Sequence, residues 1–304
     1  MHEIISGKKQ DLWRRPAVIN FFLGGTAAGF YFLLVLFGQN LQDENWIGGG
    51  YFVSLIPPPR PAGLLSVAAE AGRPFRGLYL FLNLKHSWMS REVLFAAIFI
   101  FLSLIQAMVG GMVLSLLAAS AAVLFITSQA MILRRSSAVP AWNTASVTLL
   151  LISSSVLNGF GLALLLQAPN VAGIGIDLLA YGLGCILLNM LIWVWILYGT
   201  KDSETSQALQ PLRSKQVFAV AGVLGLLAPL FGLSWLIFKA MTPAPTLAPK
   251  SLVIWAAVIL FCGYYRLDRL ISGIDYLRPV RVPQSGENRL GGAEKTDETF
   301  FQTR

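Results

Sequence analysis

The chain has 304 residues, of which 55% are hydrophobic and 12% are charged, and its formal net charge is +8. A soluble domain carries roughly 25% charged residues because its surface must be solvated. This composition therefore predicts a polytopic membrane protein, embedded in a lipid bilayer, and excludes a disordered or collagen-like chain. Two cysteines are too few for a disulfide framework or an iron–sulfur site. An excess of Lys and Arg is typical of cytoplasmic loops in membrane proteins, so we expect no nucleic-acid partner.

The apolar stretches predict an all-α bundle of about eight transmembrane helices, because a helix that crosses the hydrocarbon needs roughly 20 apolar residues. In chain order the predicted spans are 17–37, 46–70, 92–109, 112–133, 144–167, 177–198, 217–239 and 251–269. They form one transmembrane helical bundle, 1–282, followed by a polar cytoplasmic tail, 283–304. The first stretch lacks a small-residue cleavage site, so we expect a retained span rather than a signal peptide.

The second predicted span, 46–70, is interrupted by prolines. Four of them surround Arg60: Pro57, Pro58, Pro59 and Pro61. Proline lacks the amide hydrogen and clashes with the preceding helical turn, so an uninterrupted helix is excluded. A broken helix at membrane depth requires protein or water to satisfy its free backbone groups. We therefore expect a short, interrupted span that ends near Glu70.

Basic residues are distributed unevenly between the two ends of the predicted spans. An even number of spans places both termini on one side, and that side collects nearly all Lys and Arg, whereas the opposite side has Lys239 and Lys250. The positive-inside rule then predicts a multi-pass protein of the bacterial inner (cytoplasmic) membrane with both termini in the cytoplasm. The charge run 264–269 fits a cytoplasmic helix end, or secondarily a docking surface.

Histidine is scarce and lies outside the predicted spans, at His2 and His86. A b-type haem between helices needs axial ligands, usually histidine, within the bundle. A bis-histidine haem is therefore excluded, and we expect no haem. No cluster of Cys, His, Asp and Glu has the spacing of metal ligands, so we also expect no metal in this chain.

Polar residues concentrate around the loop between the second and third predicted spans. Glu70 ends one helix and Glu92 starts the next, with Arg76 and His86 between them. Ionisable residues at membrane depth are candidates for function. Gathered at one mouth, these side chains could hydrogen-bond a carbonyl or hydroxyl headgroup, and a carboxylate there could pass protons.

The same segment has an ordinary structural explanation. Ser90 and Glu92 could cap the third predicted span and interact favourably with its dipole. Arginines in a cytoplasmic loop follow the positive-inside rule. From the residues alone both explanations stay open.

Three motifs, in order along the chain, resemble the polysulfide reductase and dimethyl sulfoxide reductase membrane-anchor superfamily. The principal motif is Glu70-x-Gly72-Arg73-Pro74-x-Arg76, followed by Ser87-Trp88-Met89-Ser90-Arg91-Glu92. The sequence 13–16 leading into 22–29 is similar to the first helix of the polysulfide reductase branch. The sequence 128–132, with 140–144 after it, resembles the end of the fourth helix in the dimethyl sulfoxide reductase-like branch. The resemblance covers most of the chain to about Thr144.

This resemblance implies a haem-free anchor that binds a quinone or quinol, either menaquinone or ubiquinone. Its implied partners are a ferredoxin-like iron–sulfur subunit and a molybdopterin catalytic subunit, so the chain by itself would be non-catalytic toward the main substrate. Arg76 and Glu92 match the motif directly, whereas other branches have histidine or aspartate in place of Glu70. The residues implied in quinone binding and proton transfer are Glu70, Arg73, Arg76, His86, Trp88, Ser90, Arg91 and Glu92.

The predicted topology adds the side on which the partners dock. The motif loop lies on the positively charged, cytoplasmic side, so the catalytic subunits are expected in the cytoplasm rather than exported. Within the superfamily this arrangement most resembles the anchor of phenylacetyl-CoA:acceptor oxidoreductase.

The main alternative is a multi-span secondary transporter with a site at the broken second helix. Transporters of that kind usually carry two structural repeats with matched breaks. The proline cluster 57–61 has no counterpart in the second half of the chain. An intramembrane hydrolase is a weaker alternative, because neither GxSxG nor HExxH occurs.

Overall fold

The computed structural model describes residues 15–37, 84–85, 87–136, 139–167, 175–199, 203–242 and 248–274. Within these ranges every regular element is a helix, and no strand occurs. The predicted interrupted span 46–70 and the tail 283–304 lie outside the described residues.

Seven of the helices are long and apolar enough to cross a membrane: α1 (Arg15–Phe37), α2 (Trp88–Val109), α3 (Met112–Arg134), α4 (Ala145–Gln167), α5 (Ile176–Tyr198), α7 (Lys215–Ala240) and α8 (Pro249–Ile271). A short helix, α6 (Ser203–Ala208), lies between α5 and α7, and single 3₁₀ turns cover Pro140–Trp142 and Gln210–Arg213. The prediction of an all-α, polytopic membrane bundle is confirmed.

The centre of the bundle is a close contact between α1 and α4, made by small residues. A Cβ atom on Gly29 would lie 2.1 Å from the backbone oxygen of Ser155, and one on Gly159 would lie 2.3 Å from the backbone of Gly29. The two backbones therefore touch at this point. Small residues permit such contacts, in which van der Waals packing stabilises helix pairs in membranes. Helix α8 packs on the other side of α4.

Helices α2 and α3 form a hairpin at the edge of the described bundle. They are joined by Gly110 and Gly111, whose φ angles of 73° and 101° suit glycine because it has no Cβ. Much of α2 is exposed, including Phe101 and Met108. Its buried positions face α1 and α3, and they include Ser90 and Glu92 of its first two turns.

Helix α7 is irregular because of a proline. Its segment Phe218–Leu227 is a π-helix that ends just before Pro229. In an α-helix the carbonyl of Gly225 would accept from the amide of residue 229, and proline has no amide hydrogen. The guanidinium of Arg266 on α8 donates to this carbonyl instead, at 3.2 Å.

Arg266 is therefore not part of an exposed charge run at a helix end, as the sequence suggested. Its side chain is 2% exposed. The reason is local: Gly225 has no side chain, and a Cβ there would lie 3.1 Å from Nη1 of Arg266. The guanidinium occupies the space that glycine and proline leave in α7.

The basic end of the bundle is the end at which α1, α2, α4 and α7 begin and α3, α5 and α8 end. Two hydrogen bonds there connect loops to helix ends. The indole Nε1 of Trp142 donates to the carbonyl of Leu270 at 2.8 Å, and Nε of Arg213 donates to the carbonyl of Leu197 at 2.9 Å. The last carbonyls of a helix lack intrahelical partners, so both side chains satisfy groups that would otherwise be free. The first holds the start of α4 beside the end of α8, and the second holds the turn before α7 beside the end of α5.

Candidate functional site

A buried carboxyl group lies between three helices at the basic end of the bundle. Glu92 of α2 is 6% exposed. Its Oε1 accepts a hydrogen bond from Nδ2 of Asn20 on α1 at 3.2 Å and another from Nε2 of Gln129 on α3 at 3.0 Å. Burying a carboxylate costs several kcal/mol, and the two amide donors offset part of that cost.

The three residues meet because they lie at the same depth. Asn20, Glu92 and Gln129 are each a little more than one turn from the basic end of their helices. Gly24, one turn beyond Asn20, leaves room for the glutamine, since a Cβ there would lie 3.0 Å from Nε2 of Gln129. Helix α1 thus contributes one donor and the space for the second.

The hydrogen bonds leave one side of the carboxyl group open. Both amides donate to Oε1, and none of the described residues donates to Oε2 of Glu92. Close by in sequence, Ser90 is fully buried, and its hydroxyl has no hydrogen-bond partner in the described part of the chain. An acceptor and a hydroxyl to which no described residue bonds can hydrogen-bond a ligand that carries a hydroxyl or carbonyl group.

Helix α2 begins earlier than the sequence suggested, and this changes the role of its first residues. The helix starts at Trp88, and Ser87 is its N-cap, with Oγ accepting from the amide of Ser90 at 3.3 Å. The alternative in which Ser90 and Glu92 cap the helix is therefore wrong. Glu92 lies in the second turn, with its carboxyl group turned into the bundle.

Trp88 and Arg91 form a separate unit at the start of α2. The guanidinium of Arg91 lies 4.4 Å from the centre of the Trp88 ring. Its Nε and Nη2 donate to the carbonyls of Leu84 and Lys85, both at 2.9 Å. Arg91 therefore holds the preceding chain against the helix, and it makes none of the hydrogen bonds to Glu92.

Four of the eight predicted site residues are among the described residues. Glu92 and Ser90 are buried in α2, whereas Trp88 and Arg91 contact each other at its start. The other four predicted residues lie outside the described residues: Glu70, Arg73, Arg76 and His86.

Asn20 and Gln129 were not predicted as site residues. Each is an amide within an otherwise apolar helix, at the same distance from the basic end as Glu92. That shared depth is the signal that could have identified them, because polar residues inside membrane helices usually meet one another.

A second polar region adjoins Gln129. Its amide lines a small cavity together with Ser154, Ser155 and Asn158 of α4 and apolar residues of α1, α3 and α8. Ser154 also connects α4 to α5, since its hydroxyl donates to Oδ1 of Asn189 at 2.8 Å. In the described part of the chain no group of three or more His, Cys, Asp or Glu residues could hold a metal ion.

The sequence matches the model of a known protein family. The family model described as DMSO reductase anchor subunit (DmsC) matches residues 9–211. This range contains Asn20, Glu92 and Gln129 and extends beyond Thr144, where the motif resemblance weakens. No curated protein matches the sequence.

Proposed function

The chain belongs to the DMSO reductase anchor subunit family, and we propose that it is a haem-free subunit that binds a quinone or quinol at Glu92. Members of this family anchor a molybdopterin oxidoreductase to the membrane and associate with its catalytic and iron–sulfur subunits. The observation that carries the proposal is the buried carboxyl group of Glu92, held by two amides through one oxygen, while no described residue donates to the other.

The described residues fit the headgroup of a quinol. Quinol oxidation releases electrons and protons, and quinone reduction takes them up. Oε2 of Glu92 would accept a hydrogen bond from a quinol hydroxyl and receive its proton, and in the reverse direction it would return that proton. The buried hydroxyl of Ser90 would donate to a ligand carbonyl. Asn20 and Gln129 keep the carboxyl group in one orientation, which favours proton transfer.

The other predicted residues complete the proposal. We propose that Glu70, Arg73, Arg76 and His86 surround the same headgroup from the loop between the second and third predicted spans. The motif that includes Glu92 supports Glu70, Arg73 and Arg76, and the place of His86 in the same polar segment supports His86. Arg91 and Trp88 would act indirectly, because Arg91 binds the carbonyls of Leu84 and Lys85 at the end of that loop.

The partner subunits would dock at the basic end of the bundle. A ferredoxin-like iron–sulfur subunit placed there would bring its nearest cluster close to Glu92, which lies only slightly more than one turn inside α2. The positive-inside rule supports a cytoplasmic location for this end, for both termini and for the catalytic subunits. That orientation also supports the phenylacetyl-CoA:acceptor type of complex, in which the anchor passes electrons to or from a menaquinone or ubiquinone.

The test separates quinone chemistry from assembly by means of Glu92→Gln in the purified complex. The amide keeps the size of the side chain and one oxygen acceptor for Asn20 and Gln129, but it cannot exchange a proton. We expect quinone-linked turnover to fall about 100-fold or more, while turnover with an artificial dye that reacts at the catalytic or iron–sulfur subunits stays unchanged.

The matched control is Asp177→Asn, which removes an exposed carboxylate at the opposite end of the bundle, in the first turn of α5. It should leave both activities at the wild-type level. Equal loss of both activities in Glu92→Gln would show a role in assembly alone. Purification of the chain without iron–sulfur or molybdopterin subunits would instead support a transporter.

A further inference from the structure

The cavity beside Gln129 is small, polar on one side and enclosed by four helices. Its lining comes from α1, α3, α4 and α8, and it has room for about one water molecule. Its polar lining consists of two amides, Gln129 and Asn158, and two hydroxyls, Ser154 and Ser155. A cavity of this size holds water when it offers two to four polar partners.

The two hydroxyls already donate elsewhere. Ser155 donates to the carbonyl of Leu151 at 2.8 Å, and Ser154 donates to Oδ1 of Asn189 at the same distance. Neither hydroxyl proton is therefore directed at the cavity. The hydroxyls therefore offer a ligand only their lone pairs, and the amides offer further hydrogen-bond acceptors.

The two amide oxygens are those acceptors. Oδ1 of Asn158 is buried and has no hydrogen-bond partner, in a side chain that is 3% exposed. Gln129 donates through Nε2 to Glu92, and no described residue donates to its Oε1. A buried acceptor left without a donor costs about 1–3 kcal/mol. Both amides line the same cavity.

Asn158 is held in place by a glycine of α8. A Cβ atom on Gly263 would lie 2.0 Å from Oδ1 of Asn158, so the amide fills the space that this glycine leaves. It cannot turn away toward α8 without a clash. The position of its oxygen at the cavity is therefore a result of packing.

We propose that one water molecule occupies this cavity and donates to Oε1 of Gln129 and Oδ1 of Asn158. A water molecule has two protons to donate, which matches the two free acceptors. When the water donates to Oε1 of Gln129, the NH₂ group of the same amide faces Glu92. In the opposite orientation NH₂ would face the water protons and the oxygen would face Glu92, so the water favours the first orientation. Asn158 is thus a positioning residue for Glu92, acting through the water and Gln129.

The first measurement is a cryo-electron microscopy map of the wild-type complex at a resolution that shows ordered water. We expect density between the Gln129 and Asn158 amides. A cavity without density would overturn the proposal. This observation needs no quinone, so it is independent of the function proposed for Glu92.

The second measurement is the carboxyl stretching band of Glu92 in infrared difference spectra of the complex without added quinone. Glu92→Gln assigns the band by removing it. Asn158→Leu, which keeps the volume but removes the acceptor, should shift the band in the same direction as Gln129→Leu and by a smaller amount. A band that stays at the wild-type position in Asn158→Leu would contradict the positioning role.

The matched control is Gln167→Leu, which removes a buried amide at the far end of α4, outside the cavity. It should keep the density and leave the Glu92 band in place. If Glu92→Gln retains quinone turnover but the water and the band shift are found, the water site stands and the quinone assignment fails. If Glu92→Gln loses quinone turnover but the water and the band shift are absent, only the water site is rejected.

Discussion

Two buried charged side chains, Glu92 of α2 and Arg266 of α8, are satisfied in different ways. Glu92 accepts hydrogen bonds from side chains of α1 and α3, so three helices converge on one oxygen. Arg266 donates to one backbone carbonyl of α7, and its Nε and Nη2 have no partner in the described part of the chain. The first arrangement depends on three specific side chains, whereas the second follows from the backbone defect that Pro229 creates.

This difference indicates a functional role for Glu92 and a structural role for Arg266. The hydrogen bonds of Glu92 hold it in one orientation and leave Oε2 available to a ligand, which suits a group that takes part in proton transfer. Arg266 supplies the donor that Pro229 lacks, and no described acid lies opposite it. Substitutions near Glu92 should therefore change quinone coupling, and substitutions near Arg266 should change stability.

The largest effect that tests this comparison is expected for Gln129→Leu, which removes the shorter of the two hydrogen bonds to Glu92. A hydrogen bond to a charged group contributes about 1.5–3 kcal/mol, so quinone-linked turnover should fall about 10- to 100-fold, with dye-linked turnover unchanged. Gln167→Leu is the matched control, since it removes a buried glutamine at the far end of α4. Equal losses in the two variants would mean that Gln129 only contributes to packing.

A smaller effect is expected for Asn20→Leu. Its hydrogen bond to Oε1 is longer, 3.2 Å against 3.0 Å, and one donor from Gln129 remains. Quinone-linked turnover should fall by up to about tenfold, which corresponds to about 1.4 kcal/mol. Both variants and the double variant should be measured in one series. A larger loss for Asn20→Leu than for Gln129→Leu would contradict the assigned order of the two donors.

The smallest effect concerns Arg266 and is a change in stability alone. Arg266→Met leaves the carbonyl of Gly225 without its donor, whereas Pro229→Ala supplies a backbone amide that can take over. In the Pro229→Ala background Arg266→Met should therefore cost about 1 kcal/mol less free energy of unfolding than in the wild type. A denaturant titration in mixed micelles measures this coupling.

The control for this pair is quinone-linked turnover, which should stay at the wild-type level in both single variants. A loss of turnover in Arg266→Met in an assembled complex would show that the guanidinium belongs to the functional site. Strict additivity of the two stability changes would show that Arg266 does not depend on Pro229.

The helices were predictable because their apolar stretches are long enough to cross a bilayer. Glu92 was also predictable, as an acid within a motif at the edge of such a stretch. Its depth was not, since Ser87 caps α2 and thereby moves Glu92 into the second turn. Local composition does not reveal which of several serines caps a helix.

Contacts between helices account for the rest. Asn20 and Gln129 are isolated amides in sequence, and their pairing with Glu92 depends on how α1 and α3 are rotated. Arg266 belongs to a run of charges that looks like a helix end. Only the approach of α7, with glycine at 225 and proline at 229, buries it. Such pairings depend on three-dimensional placement that a periodic pattern in one helix does not contain.

The contact between Gly29 of α1 and Gly159 of α4 has a consequence for biogenesis. Helix α1 leaves the ribosome long before α4, so it must wait in the bilayer without its closest neighbour while the intervening helices are inserted. The hydrogen bond between Asn20 and Glu92 can form only once α2 has also entered the bilayer. The late arrival of α4 then locks α1 in the rotation that keeps Asn20 turned toward Glu92. We therefore expect a substitution at either glycine to slow the maturation of the protein. In pulse-labelled cells the protease-resistant form should appear more slowly than in the wild type.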